Sequence, residues 1–179
     1  CAALTSKRCQ ELELTPMVAT NTAVHETAFT VSVDLIAQDT TTGISAQDRS
    51  KTILALVNPD TKPSDLGRPG HIFPLVAVDG GVHERGGHTE AGIALCELTG
   101  SYPVAVISEL VNDDGSMARG EALEKFASDH QIKTITIEEL TQYWRENYQK
   151  GAQPVELNWS AVQLPEGAWQ LATFPALKA

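Results

Sequence analysis

The chain has 179 residues, 42% of them hydrophobic, and a formal charge of -10. That length supports one well-packed domain and is short for two. The acidic balance, with a pI near 4.8, repels polyanions, and no basic patch relieves it. Nucleic acid and anionic membrane surfaces are therefore poor partners, and a small soluble substrate fits better. The longest apolar stretches, such as PVAVISEL, are strand-sized and far below the roughly 20 residues of a membrane span. Cysteines at positions 1, 9 and 96 are too scattered for a disulfide framework or a zinc site, which favours the cytoplasm. Cys1 in place of a starting Met marks the sequence as processed, engineered or incomplete.

In chain order, Thr5 is a candidate N-cap for a short helix over SKRCQELEL, which the Pro16-Met17 pair ends. AFTVSVDLI places Phe29, Val31, Val33 and Leu35 on one face, the period of a half-buried strand. DTTTGIS is a turn. Ser45 with Asp48 resembles a capping box, opening a helix whose apolar face carries Ile53, Leu54, Leu56 and Val57. NPDTKPSDLGRPG reads as a loop, IFPLVAV as a second strand, and GGVHERGGH as a glycine-rich lead into a helix over TEAGIALCELT. YPVAVISEL is a third strand, VNDDGS a turn, RGEALEKFASDHQ a helix, KTITI a fourth strand and EELTQYWRENYQ a last helix. The alternation predicts an α/β or interleaved α+β domain. From Gly151 the periodicity fades, and the segment to Ala179 reads as a linker or tail.

The window from Arg68 to Glu90 holds three of the five histidines of the chain, two arginines and five glycines. The junction Gly86-Gly87-His88-Thr89, with Arg85 before it, would present free N–H groups at a helix start, a suitable place for an anion. A plain glycine turn capped by Thr89 is an equally good reading. Thr40 to Gly43 repeats the theme, although an ordinary capped turn is favoured there. Glu109 in an apolar strand is either near an exposed end or held by a cation. Asp113 and Asp114 read as turn formers, His25, His83 and His130 as surface residues, and Cys9 and Cys96 as packed inside.

Taken together, TTTGISAQDR, RPGHIFPL, GGVHERGGHTEAGIALCELTG, ISELVNDDGSMAR and TIEEL, in that order, resemble 3,4-dihydroxy-2-butanone 4-phosphate synthase of riboflavin biosynthesis. CAALTSKRCQELEL and NTAVHETAFTVSVD extend the likeness over residues 1–148. The resemblance implies a single three-layer α/β domain, a homodimer with active sites at the subunit interface, and a lyase that uses Mg2+ or Mn2+. Its reaction would convert D-ribulose 5-phosphate to L-3,4-dihydroxy-2-butanone 4-phosphate and formate. It also implies His71 and Glu109 as the acid/base pair. Arg85, Gly86, Gly87, His88 and Thr89 would line the substrate, with His88 also on the metal, and Thr42 and Cys1 fall at further active-site positions.

The family's acidic loop of the type RENEGD, which carries a metal-binding glutamate, has no counterpart in the sequence. A non-catalytic paralogue or assembly module is therefore the alternative to an enzyme. Residues 149–179 are expected to be a linker, with AVQLPEGAWQLATF faintly resembling the opening strand of GTP cyclohydrolase II.

Overall fold

A computed structural model describes residues 1–147. The expected tail at 149–179 lies outside the described residues. Strand β1 (Ala2–Leu4) is followed by helix α1 (Ser6–Glu11), strand β2 (Val33–Leu35), helix α2 (Ala46–Val57), strands β3 (Leu66–Ile72) and β4 (Pro74–Val76), and helix α3 (His88–Leu98). Strand β5 (Val104–Val106) and helices α4 (Glu121–Asp129) and α5 (Ile137–Asn147) complete the order. The result is a mixed α/β domain.

One sheet has the order β4-β1-β5, and a second pairs β2 with β3. Central β1 runs parallel to β4 and antiparallel to β5. All three of its residues are fully buried, and successive strand residues face opposite sides. Ala2 and Leu4 join Leu12, Val33, Leu56, Leu66 and Ile72 in the main core. Ala3 instead meets Ile93 of α3 together with Ala77. The β4-β1-β5 sheet thus lies between α3 on one side and the layer of α2 and the β2-β3 pair on the other. A satellite core of Val82, Ala91, Ala94, Leu140 and Trp144 docks α5 on α3.

The helix starts follow their caps. Thr5 Oγ1 accepts from the Arg8 amide at 3.2 Å, and Ser45 Oγ accepts from the Asp48 amide at 3.0 Å. Buried Arg8 turns back to donate to the carbonyls of Leu56 and Asn58 at the end of α2, at 2.9 and 2.5 Å, which answers that helix's orphan acceptors.

Several expected elements differ. β1 has no counterpart among the expected strands, because three apolar residues carry no periodicity. The expected loop over 58–70 contains a 3-10 turn at Pro63–Asp65 and then the first five residues of β3. IFPLVAV splits between the end of β3 and β4. Only Val33–Leu35 of AFTVSVDLI is regular strand, with Phe29 and Thr30 in isolated bridges. KTITI forms no strand: Ile135 remains 52% exposed, and Ile137 instead opens α5 and packs on the satellite core. Helix α3 is capped by Gly87 and not by Thr89, which sits inside the first turn and is buried.

Candidate active site

The pairing of β2 with β3 is interrupted. Val33 faces Ile72, but the next residue, Asp34, faces Gly67. Residues 68–71, the RPGH word, bulge out of the ladder between them, and the Arg68–Pro69 bond is cis. The bulge is possible because position 70 is glycine: a Cβ there would collide with the backbone of Val33 and Asp34. Backbone anchors fix it, with the Gly70 amide donating to Ser32 Oγ at 3.1 Å and the His71 amide donating to Asp34 Oδ1 at 2.8 Å.

The consequence is a histidine–carboxylate pair. His71 Nδ1 lies 2.6 Å from Asp34 Oδ2. An ionised carboxylate only accepts, so Nδ1 carries the proton and Nε2 is left as the basic nitrogen. The His71 side chain is 41% exposed and that of Asp34 is 18% exposed, so the ring is reachable while its orienting group is largely covered.

The TTTG turn closes over this pair. Gly43 adopts φ +85°, and a Cβ on it would run into the Asp34 carboxylate. The three threonines divide their work. Thr40 Oγ1 bonds the carbonyls of Leu35 and Ala37 at 3.1 and 2.8 Å. Thr41 Oγ1 donates to Asp48 Oδ2 at 2.6 Å. Thr42 is exposed, and among the described residues its hydroxyl has no hydrogen-bond partner, unlike those of Thr40 and Thr41.

Cys1 and Glu109 form a second part of the surface. The Cys1 carbonyl accepts from the Ile107 amide at 3.0 Å, and the Cys1 backbone nitrogen donates to the Ile107 carbonyl at 3.2 Å. Glu109 lies beyond the end of β5 and is exposed, which resolves the sequence alternatives in favour of a strand end.

Arg85, Gly86, Gly87, His88 and Thr89 gather at the start of α3, whose first turn has no side-chain cap. The Arg85 guanidinium donates to Glu90 Oε2 at 2.7 Å, and the Val78 amide donates to Glu90 Oε1 at 2.9 Å. Glu90 is 1% exposed, so it is the buried post on which the Arg85 side chain is hung. His88 is exposed. No hydrogen bond or ion pair among the described residues joins this segment to His71 or Glu109. His83 instead accepts from Arg145 Nε at 3.3 Å, beside a cavity of about 500 Å³ between α3 and α5.

Sequence reasoning gave no site role to Asp34, Asp48 or Glu90. Asp34 carried one signal, a carboxylate amid the apolar alternation of TVSVDLI. Its partner, 37 residues away, is set by a bulge that no periodicity encodes. A magnesium ion prefers several oxygen ligands. Among the described residues no three His, Cys, Asp or Glu side chains converge as a metal site, and Glu90 is already engaged. These residues do not by themselves fit that ion.

Fold and site together define a mixed α/β domain carrying an oriented histidine, an accessible carboxylate and an open helix N-terminus. The 3,4-dihydroxy-2-butanone 4-phosphate synthase family matches residues 1–143. The chain is 57% identical over 143 residues to riboflavin biosynthesis protein RibBA of Cytophaga hutchinsonii, covering 80% of this chain and 35% of the relative. It thus spans about a third of that relative's length. A crystal structure of 3,4-dihydroxy-2-butanone 4-phosphate synthase in complex with two magnesium ions superposes with a TM-score of 0.79 and 46% identity, over 82% of this chain and 73% of that one. A cation-free form of such a synthase gives a TM-score of 0.72 and 42% identity, over 83% and 74% of the two chains. The chain belongs to the 3,4-dihydroxy-2-butanone 4-phosphate synthase family.

Proposed function

We propose that this chain carries the lyase chemistry of its family, taking D-ribulose 5-phosphate to L-3,4-dihydroxy-2-butanone 4-phosphate and formate. The observation that carries the reading is the Asp34–His71 pair, held by the RPGH bulge with one ring nitrogen left accessible. Enolising a ketose phosphate needs a base near the carbon beside the carbonyl and an acid to return the proton. His71 Nε2 takes the first role, with Asp34 holding the tautomer and stabilising the charge that develops on the ring. Glu109, exposed beyond β5, supplies a second proton-transfer group, and Thr42 and Cys1 flank the substrate.

The start of α3 is the phosphate end: its uncapped N–H groups and the Arg85 guanidinium favour a dianion. Gly86 lets the ligand approach the backbone, Gly87 makes room for the Arg85–Glu90 pair, and His88 and Thr89 stand beside them. A divalent ion, when bound, supplies Lewis-acid stabilisation of developing oxyanions. Magnesium is favoured because a synthase related at 46% identity binds two magnesium ions, and manganese would serve the same oxygen chemistry. His88 is its candidate ligand here, insufficient alone.

Residues 1–148 form the synthase domain in this reading, and 149–179 a linker whose AVQLPEGAWQLATF stretch resembles a cyclohydrolase start. The protein acts as a homodimer in the cytoplasm. Among the described residues no helix is long and apolar enough to cross a membrane. The test is to incubate the natural full-length protein with ribulose 5-phosphate and Mg2+. One formate should appear for each dihydroxybutanone phosphate, and a chelator should stop the release. No formate, or release indifferent to the chelator, refutes the reading.

A further inference from the structure

Asp48 is 3% exposed at the first turn of α2, yet it does not serve that helix alone. Its carboxylate takes three bonds from the TTTG turn. The Thr41 hydroxyl donates to Oδ2 at 2.6 Å, the Thr41 amide to Oδ1 at 3.3 Å and the Gly43 amide to Oδ2 at 3.3 Å. The turn so gripped is the one whose Gly43 rests on the Asp34 carboxylate without room for a Cβ. A second tie starts at the same residue: the Asp48 carbonyl accepts from Thr52 Oγ1 at 3.1 Å, and that oxygen accepts from the Leu35 amide at 2.9 Å. Leu35 is the neighbour of Asp34 on β2. Asp48 therefore reaches the Asp34–His71 pair by two routes, one over the turn and one through the strand.

We propose that Asp48 is a positioning residue, which fixes the Thr41–Gly43 turn against Asp34 and through Asp34 holds the His71 ring in one orientation and one tautomer. The kinetic part of this inference rests on the proposed synthase reaction, whereas the structural part does not. Physically, the Asp34 carboxylate has one wall made of backbone at Gly43. If that wall relaxes, the carboxylate gains rotational freedom and water, and its 2.6 Å bond to Nδ1 competes with hydration. A ring whose Nδ1–H is no longer held samples both neutral tautomers, and in one of them Nε2 carries the proton and cannot act as base. The three donors facing Asp48 need an anion, and the Thr41 hydroxyl bond, the chief cause, keeps its carboxyl below the ordinary aspartate range. Asn at this position would point an NH2 group at donors.

The experiment compares Asp48→Asn, Thr41→Val and Thr41→Ser in the full-length protein by two readouts. Steady-state formate release should show kcat reduced about 10- to 100-fold for Asp48→Asn and Thr41→Val, the scale of a slightly misplaced catalytic group, with KM changed less than about threefold. Thr41→Ser keeps the hydroxyl and should restore kcat. In parallel, the 15N shifts of the His71 ring should report a single Nδ1–H tautomer in the parent protein and a mixture in Asp48→Asn. Should Asp48→Asn not fold, Thr41→Val carries both readouts. Unaltered His71 ring shifts in the folded variants overturn the proposal, whatever happens to kcat. If the parent protein releases no formate, the synthase reading fails by itself, and the ring shifts still decide the role of Asp48.

Discussion

Asp34 and His71 make the sharpest claim at the scale of single residues, because the pair works only if the carboxylate stays an acceptor. Asp34→Asn preserves size but offers an amide NH2 to Nδ1, which favours the opposite tautomer with the proton on Nε2. Formate release should drop about 10²- to 10⁴-fold, the range for loss of a positioned base, with KM little changed. Activity within a fewfold of the parent would show that Asp34 does not set the ring. Asp48 makes a separate prediction about acid stability. Its folded-state pKa is depressed below the ordinary 3.8, chiefly by the Thr41 hydroxyl. The unfolded state then binds the proton more tightly, so stability from this group is present above about pH 4 and is lost as pH falls through the folded value. Melting temperature followed from pH 5 to pH 2 should fall less steeply in Asp48→Asn than in the parent. A steeper fall would contradict the assignment.

At the scale of elements, β3 and α3 carry the candidate site, and they were unequally legible. The start of α3 was visible in the sequence because glycines followed by a run of good helix formers have a local cause. The role of its third residue was not: Glu90 is buried and holds Arg85 and the Val78 amide, partners that no local pattern encodes. Glu90→Ala strips an acceptor from a part-buried N–H and a partner from a guanidinium, which should cost about 1–3 kcal/mol. A denaturant midpoint equal to that of the parent would refute this. β3 was misread because Gly67, Pro69 and Gly70 are turn residues by composition, and only their pairing with β2 makes them a strand with a bulge. The short β1 escaped notice for a related reason: its stability comes from neighbours on both edges and both faces, none of them local. By contrast, the Thr5 and Ser45 caps were readable because a cap and its amide lie three residues apart. His71 and Glu109 were named through resemblance, and the strand-end location of Glu109 was one of two physical alternatives already open.

Viewed as a whole molecule, the candidate groups are spread over three surfaces: the β3 bulge, the end of β5 and the start of α3. Ile36, Ile44 and Val106, on β2's exit, the TTTG turn and β5, are 65%, 62% and 58% exposed. These side chains are the first places to look for the subunit contact that the proposed homodimer requires. Light scattering of the natural protein at micromolar concentration should give twice the chain mass, and a stable monomer would count against a shared site. The central claim, that His71 supplies the base of a formate-releasing reaction on ribulose 5-phosphate, is tested most directly by the formate release rate of the full-length protein and its His71→Ala variant. The rate should fall about 10²- to 10⁴-fold in His71→Ala and stay near the parent value in a His83→Ala control, whose ring faces Arg145. A His71→Ala protein that folds and releases formate at the parent rate would contradict the account.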